Sequence, residues 1–434
     1  MNFAEMLSRW IPRADWGVIN LEPGLYPYVR EGDGRLNRFH LRIDHDGSGV
    51  LLVNASFAVR LSPSGVFMTQ RLLEGVRPEE ILRDVGRGFA GARAKGVHDD
   101  LKRLTKIIET AATADARYPI LNLEDPRLVG RVVPLDRPIA ADVPLAEPNL
   151  LVPLLDRLWA NAIAHVTILV PEAPEHAHIV RAVERAEDLG MIAGIRARAR
   201  DIDDQRFVEE LATAGIDHIN VYYHSADPIL HDALMGDGDH AKACAAIKSA
   251  HANEVCSVAE VALARSTIGP IDDTLSALDG LGVGAVGFFA MARGDDAPDD
   301  SPGPLEPDML LQAAASVEEL ADELGMRSFW YAPLRQVLGT GLPGQVRGGP
   351  RCSGDNAIRV EPDGAVYAAR GPLRSPGNLL REDWESIQAR PAYASYRERV
   401  ANPTGCERCP GLAICAADCP RCPDGWADDT PVEE

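Results

Sequence analysis

The chain has 434 residues and a formal net charge of −21, from 44 Lys and Arg against 65 Asp and Glu. Hydrophobic residues make up 46% and charged residues 25%, as in ordinary globular proteins. No uninterrupted apolar run of about 18 residues is present, which argues against a membrane-spanning helix. The first residues lack the basic and apolar regions of a secretory signal. The acidic balance argues against nucleic acid as a partner, so we expect a cytoplasmic protein with neither a membrane nor a nucleic-acid partner.

The first part of the chain predicts an N-terminal arm over residues 1–30 and a small α+β unit over residues 31–115. The unit begins with three strand-like segments rich in β-branched and aromatic residues, at 38–43, 49–55 and 57–62. Three helical segments follow, starting at Pro63, at Pro78 and at Asp99. Three strands followed by three helices predict a winged-helix-like domain. Its 13 Lys and Arg nearly balance its 12 Asp and Glu, which counts against DNA binding.

The middle of the chain alternates strands and helices. Residues 116–148 are rich in proline and predict a linker, with one short strand near 139–143. From residue 149 to 335, apolar strand-like segments alternate with helical ones, and three helices end in the glycines Gly190, Gly215 and Gly282. This spacing predicts an α/β architecture with a parallel sheet, either open or curled into part of a barrel.

The stretch "CERCPGLAICAADCPRC" contains five of the eight cysteines of the chain, namely Cys406, Cys409, Cys415, Cys419 and Cys422. Clustered thiolates suit an iron–sulfur cluster or zinc, and the flanking prolines are frequent companions of iron–sulfur cysteines. Two C-x2-C pairs could equally form a four-thiolate zinc site. A disulfide framework is the weakest interpretation in a reducing cytosol. The isolated Cys244 and Cys256 predict small core residues.

The C-terminal hundred residues, 336–434, resemble the SPASM domain, the auxiliary iron–sulfur module of many radical S-adenosylmethionine (SAM) enzymes. The resemblance rests on "RCSGDNAIRVEPDGAVYAARG" followed by "CERCPGLAICAADC". It places Cys352 and Gly364 in the motif, and Ala369 where the family has a cysteine. It implies one 4Fe–4S cluster on Cys406, Cys409, Cys415 and Cys422, and a degraded second site with Cys352 and Cys419.

The middle segment "IDHINVYYHSADPILHDALMGDGDHAKACAAI" resembles the radical SAM partial (β/α)6 barrel. The defining C-x3-C-x2-C motif is absent, because no cysteine precedes Cys244. The family's GGE motif falls on Val170, Pro171 and Glu172, and its polar pair on Tyr222 and His224. Bulky residues replace glycines that permit close backbone approach, and Tyr222 would crowd a nucleoside pocket. These departures predict no bound SAM, no radical chemistry and no catalytic residues of that type.

The segment "GVLLVNASFAVRLSPSGVFMTQRLLEGVRPEEILRDV" resembles the RiPP recognition element, the fold of the peptide chaperone of pyrroloquinoline quinone biosynthesis. The resemblance implies that a leader peptide adds as a strand to an exposed sheet edge. The implied groove comprises Phe57, Val59, Leu61, Leu101, Leu104 and Ile108. The same side chains could instead form the core of the domain, and a generic winged helix that binds DNA is the alternative.

Three hypotheses follow. The preferred one is a pseudoenzyme that binds a precursor peptide, carries one auxiliary iron–sulfur cluster and assists a competent modification enzyme. The second is an enzyme that uses an open iron–sulfur site at Cys352 and Cys419 for redox or sulfur chemistry. The third is an interaction module that the cysteines stabilise with zinc.

Overall fold

The structure, a computed structural model, describes residues 21–32, 35–53, 57–89, 94–113, 137–292, 303–305, 307–331, 334–335, 341–353, 357–368 and 375–390. The chain divides into two compact units, Met1–Asp115 and Ala116–Glu434. No helix among these residues is long and apolar enough to cross a membrane.

The first unit is an antiparallel four-stranded sheet, in the order β1-β2-β3-β4, followed by three helices. The elements are β1 (Gly24–Gly32), β2 (Arg35–Ile43), β3 (Gly49–Val53), β4 (Phe57–Leu61), α1 (Pro63–Leu73), α2 (Pro78–Gly88) and α3 (Ala94–Thr113). The predicted strands and helices are present, and one strand was missed. The sequence predicts residues 24–30 as part of an arm, whereas they form most of β1, and β1 pairs with β2 over its whole length. The glycines at its two ends and Pro27 disfavour a strand prediction, because both residue types are depleted in strands.

Local sequence signals start and end the elements of this unit. Ser62 caps α1, its Oγ accepting a hydrogen bond from the Gly65 amide at 3.3 Å. Pro63 and Pro78 occupy the first turns of α1 and α2, where a missing N–H costs nothing. Gly47 adopts φ 80° in the predicted turn between β2 and β3, a conformation that favours glycine.

The second unit is built on seven parallel strands in chain order, β5 to β11, which helical crossovers connect. The strands are β5 (Ala140–Pro144), β6 (His165–Leu169), β7 (Ile192–Ala197), β8 (His218–Tyr222), β9 (Cys256–Leu263), β10 (Ala285–Ala292) and β11 (Arg327–Trp330). The crossover helices are α4 (Pro148–Ala160), α5 (His176–Leu189), α6 (Gln205–Thr213), α7 (Pro228–Met235), α8 (Asp239–Ala252), α9 (Arg265–Ile268), α10 (Ile271–Gly280) and α11 (Pro307–Glu323).

Two predictions for this unit need adjustment. The strand expected inside the linker is β5, a full member of the sheet. A seventh parallel strand, β11, extends the six that we expected, and its four residues were too few to show a period. The glycine signals are confirmed, because Gly190, Gly215 and Gly282 all have positive φ at the ends of their helices.

The sheet curls. Arg196 on β7 lies within ion-pair distance of Asp142 on β5 and Glu260 on β9. Flat strands about 4.8 Å apart would hold β5 and β9 about 19 Å from each other. A single arginine reaches both carboxylates only because the strands bend round a common interior.

Within the described residues, six short elements follow the seven parallel strands, and three of them extend the first edge of the curled sheet. The six are β12 (Leu334–Arg335), α12 (Leu342–Gly348), β13 (Ala357–Val360), β14 (Ala365–Ala368), β15 (Gly377–Asn378) and α13 (Trp384–Gln388). β13 pairs in parallel with β5 and continues into the antiparallel pairs β13–β14 and β14–β15, whereas β12 pairs with β10. Arg157 on α4 donates to the Leu379 carbonyl at 2.9 Å and the Glu382 carbonyl at 2.7 Å, which ties this segment to the barrel.

Candidate functional site

The carboxyl ends of β6, β7 and β8 surround a cleft of about 150 Å³. Its lining comprises residues 169–172, Arg196, Arg198, Tyr222, Arg347 and Gly348. Ligands of parallel α/β sheets bind at this edge because the strand ends and their loops converge there. The structure therefore brings together Val170, Pro171, Glu172 and Tyr222, which the sequence placed in one site.

The backbone after β6 offers little to a ligand. The Val170 amide already donates to the Arg196 carbonyl at 2.9 Å, and Pro171 has no N–H. The Glu172 side chain is 77% exposed and pairs with Arg198, which also binds Asp201 with Nε 2.7 Å from Oδ2. Glu172 therefore acts as a partly solvated ion-pair partner at the rim of the cleft.

Tyr222 fills the base of the cleft. It is 4% exposed, and its ring packs against the rings of His224 and Phe289, with centroids 5.8 and 6.4 Å away. A Cβ atom at Gly349 would lie 2.3 Å from the Tyr222 hydroxyl, so the tyrosine tip sits directly on a glycine with φ 65°. Burial raises the pKa of Tyr222, which stays protonated as a donor. The buried Tyr222 ring and its contact with Gly349 leave little room at this position for the nucleoside of SAM.

His224 does not line the cleft, and its Nε2 has no hydrogen-bond partner among the described residues. It is fully buried, and its Nδ1 accepts a hydrogen bond from the Ala262 amide at 3.0 Å. Its own amide donates to Nδ1 of His231 at 3.1 Å, and His231 Nε2 lies 3.2 Å from Asp239. Burial lowers the pKa of His224 well below its usual range. These bonds fix the loop after β8 and give His224 a structural role.

A buried polar network lies behind the cleft, inside the curled sheet, and sequence reasoning missed it. Glu260 Oε1 accepts from Arg196 Nε at 2.8 Å, from Asn220 Nδ2 at 2.9 Å and from the Tyr331 hydroxyl at 2.7 Å. The Arg196 guanidinium also lies over the Tyr331 ring, 5.2 Å from its centroid. The signal was present in the sequence, because Arg196 and Glu260 are lone charges within otherwise apolar strands.

Burial and ion pairing shift the pKa values of Asp142 and Arg196 in opposite directions. Burial raises the pKa of Asp142 to about 6, and the nearby Arg196 opposes that rise. Burial would lower the pKa of Arg196, yet Glu260 and Asp142 together raise it well above its usual range. Arg196 is thus permanently charged and is held between two carboxylates.

The network continues to the loop that carries Cys352. Arg196 donates to the Pro350 carbonyl at 3.2 Å and to the Ser353 hydroxyl at 3.0 Å, and Ser353 donates to Asp142 at 2.7 Å. Cys352 is 2% exposed and packs with Ala140 and Ala357. Burial and the nearby Asp142 raise the pKa of the Cys352 thiol, the opposite of a reactive exposed thiolate.

A histidine pair lies one layer deeper. His165 Nε2 and His218 Nε2 are 2.8 Å apart, and His218 Nδ1 lies 2.8 Å from Asn220 Oδ1. The Asn220 amide nitrogen donates to Glu260, so its oxygen must accept from His218. His218 therefore carries its proton on Nδ1 and accepts from His165. Burial lowers the pKa of His218 to about 4.

Most of the predicted metal ligands lie outside the described residues. These are Cys406, Cys409, Cys415, Cys419 and Cys422, and Ala369 lies outside them too. In the parts of the chain that the structure describes, no group of three or more His, Cys, Asp or Glu is arranged to hold a metal ion. Gly364 has φ 89° in the β13–β14 turn, where a Cβ would lie 2.5 Å from Asn378 Oδ1, so the turn requires glycine. The iron–sulfur assignment stays a prediction.

The predicted peptide groove is largely core. Leu61, Leu101, Leu104 and Ile108 are between 3% and 7% exposed, within the apolar cluster of the first unit. Val59 is partly buried against the same cluster, and the Phe57 side chain lies outside the described residues. The alternative that these side chains form the core therefore applies to four of them. What β4 offers a peptide is its backbone edge, because it pairs only with β3 among the described strands.

Comparison with known proteins places the fold. No protein-family model and no curated protein matches the chain. SuiB of Streptococcus suis bound to S-adenosylmethionine has a TM-score of 0.55 at 12% identity, over 93% of this chain and 99% of that one. The chain therefore shares the fold of SuiB, a mixed α/β fold built on a large parallel sheet. SuiB bound to its precursor peptide SuiA also gives 0.55 at 12% identity, over 90% and 95% of the two chains.

A second solved protein shares this fold over a smaller part of the chain. It is anSMEcpe with bound AdoMet and the Cp18Cys peptide, with a TM-score of 0.50 at 12% identity. The match covers 67% of this chain and 92% of that one. At these identities the likeness is one of fold, and the residues at the strand ends must be judged from their own geometry.

Proposed function

We propose that this chain is a pseudoenzyme of the radical SAM and SPASM type that binds a precursor peptide and assists its modification. The observation that carries the proposal is the occupied strand-end cleft, where Tyr222 rests on Gly349 and Val170 and Pro171 stand beside it. A cleft of about 150 Å³ is half the lower limit of about 300 Å³ for ordinary small-molecule sites. With no cysteine before Cys244, the cluster that cleaves SAM has no ligands there.

The peptide part of the proposal is supported by two features. SuiB, which shares the fold over nearly the whole chain, has been solved with a precursor peptide. In the first unit, β4 leaves one backbone edge unpaired among the described strands. The other edge, β1, contains Pro27, which has no backbone N–H to donate to an added strand. A leader peptide therefore has one suitable edge, and it binds there by β-augmentation.

The auxiliary cluster is assigned to Cys406, Cys409, Cys415 and Cys422, which would hold one 4Fe–4S centre and supply electron-transfer or structural chemistry. A competent modification enzyme is the second partner of this hypothesis, because the chain itself lacks the radical-generating site. No step of the proposal passes through SAM.

The proposal is tested by binding a library of leader-like peptides to the full chain, with fluorescence anisotropy as the readout. Two variants, Val59→Pro and Arg60→Pro, each remove one backbone N–H of β4, and each serves as the control for the other. Neighbouring residues of an edge strand alternate, so one amide bonds to β3 and the other faces the open edge. One variant should therefore unfold the unit, and the other should keep its melting temperature and lose peptide binding. A library that yields no binder, or a folded variant that still binds, contradicts the proposal.

An enzyme that uses an open auxiliary site is the second candidate, and the placement of Cys352 favours it. The Cys352 loop is tied to the barrel network through Pro350 and Ser353, close to the interior where a substrate would react. Replacing Cys352 with Ala tests this candidate. If the precursor peptide is still modified with that variant, the enzyme hypothesis is contradicted. If modification is lost while peptide binding stays normal, the enzyme hypothesis is supported.

A further inference from the structure

The strand-end cleft contains three arginines and one glutamate, but most of these charges are already paired. Every nitrogen donor of the Arg196 side chain has a partner, with Glu260, the Pro350 carbonyl and Ser353 at 2.8–3.2 Å. Arg198 binds Asp201 through two nitrogens, and its third partner is Glu172. These ion pairs fix the walls of the cleft and leave little attraction for a ligand.

Two groups at the cleft remain available. The Arg347 side chain is exposed, and its Nε donates to the Pro343 carbonyl at 3.1 Å. Its two terminal nitrogens have no hydrogen-bond partner within the described part of the chain. The Tyr222 hydroxyl likewise forms no hydrogen bond with the described residues, although the side chain is 4% exposed. Val346, the neighbour of Arg347, is buried in the same apolar cluster as Tyr222, which holds α12 beside the cleft.

These two groups define the chemistry of a ligand. The Arg347 guanidinium and the neutral Tyr222 hydroxyl together provide one positive charge and several hydrogen-bond donors. They provide no hydrogen-bond acceptor as strong as these donors. A planar carboxylate matches a guanidinium fork in charge and geometry. A phosphate with nearly two charges would need a second free cation. The volume of about 150 Å³ admits one side chain but not a nucleoside.

We propose that the cleft binds a single carboxylate, that of an Asp or Glu side chain of the bound peptide, between Arg347 and Tyr222. This inference rests on the proposed function for the source of the carboxylate. The former cofactor end of the sheet then acts as an anchor that holds one acidic residue of the peptide. Binding of the leader and capture of the acidic side chain are separate events, on separate parts of the chain.

The test uses single capped amino acids, so that it does not depend on the leader. Aspartate and glutamate, each with acetyl and N-methylamide caps, are titrated into the full chain and followed by ligand-observed NMR. Capped asparagine and glutamine are the neutral matches, acetate represents a free acid, and inorganic phosphate represents a multiply charged anion. We expect millimolar binding of a capped acidic residue and none of its amide counterpart.

Variants locate the site. Arg347→Gln should weaken binding of the capped acidic residue at least about tenfold, because it removes a charge-assisted hydrogen bond. Tyr222→Phe should weaken it several-fold. Arg206→Gln, at an exposed arginine on α6 that does not line the cleft, should leave it unchanged. Thermal unfolding checks that all three variants are folded.

Three results overturn the inference. They are equal binding of charged and neutral residues, binding that Arg347→Gln leaves intact, and a preference for phosphate or acetate over the capped acidic residues. The peptide-library experiment separates the two proposals. Carboxylate binding without any leader binder overturns the proposed function alone. Leader binding without carboxylate binding overturns the cleft assignment alone.

Discussion

Arg196 and Glu260 form an ion pair in the interior of the curled sheet, with Nε 2.8 Å from Oε1 and side-chain exposures of 4% and 0%. The pair joins β7 to β9, and through Ser353 it reaches the loop of Cys352. In a barrel of this fold, a ligand would enter from the strand ends toward this position. Here Arg196, Glu260 and Asp142 occupy that position, and Arg196 lies within ion-pair distance of both carboxylates.

Replacing Arg196 with Met should destabilise the chain by about 3–5 kcal/mol, because it leaves buried carboxylates without their counter-charge. Urea unfolding measures the loss. Arg206→Met, at an exposed arginine, is the control and should have no measurable effect. Equal stability of the Arg196 variant and the parent would show that the pair contributes little.

Gly194→Ala should cost about 3 kcal/mol. The added Cβ would lie 1.9 Å from Cε1 of His218, within a strand that cannot move away. Gly269→Ala is the matched control, because Gly269 has helical φ −61° and ψ −49° and open space around it. That variant should be neutral or more stable by about 0.4–1 kcal/mol. Thermal unfolding of both variants compares them directly.

Because of His218, the free energy of unfolding should decrease as the pH falls. Its pKa is about 4 in the folded chain and about 6.5 when unfolded, so the unfolded state binds more protons between these values. Its contribution is complete above pH 6.5 and is lost as the pH falls toward 4. Between pH 7.5 and 4.5, the parent should lose about 2–3 kcal/mol more than His218→Asn.

The comparison with His218→Asn is needed because Asp142 acts in the opposite direction. Its pKa of about 6 lies above the unfolded value, so its contribution is lost as the pH rises. Subtracting the urea-unfolding profiles of the two proteins cancels that effect. Identical profiles would mean that His218 ionises as easily in the folded chain as in water.

Metal content should depend on the C-terminal cysteines. Protein purified without oxygen should contain about four irons and four sulfides per chain. Cys409→Ser should reduce the iron to a fraction of one per chain, whereas Cys352→Ser should leave it unchanged. Cys244→Ser, in α8, is the control. About eight irons would favour the enzyme with an open second site, and about one zinc without sulfide would favour the interaction module.

Local signals were enough to predict much of the fold. Regular alternation of apolar strands and helices, with Gly190, Gly215 and Gly282 at helix ends, predicted the parallel sheet. Pairs such as Ser62–Pro63 placed helix starts. Strands β1 and β11 were missed, because one contains Pro and terminal Gly and the other has four residues. Such strands form because they pair with a neighbouring strand, and the pattern of a single sequence does not show which segments will pair.

For the site, the order of residues alone was enough to place Val170 to Glu172 after β6 and Tyr222 at the end of β8, and to show that no cysteine precedes Cys244. Only the tertiary structure decided what these residues contact. The curl of the sheet brings Asp142, Arg196 and Glu260 together from strands far apart in the chain. It also sets Tyr222 against Gly349 and leaves Arg347 unpaired at the cleft. Side-chain pairing depends on distances through space, and these follow from packing and not from local sequence.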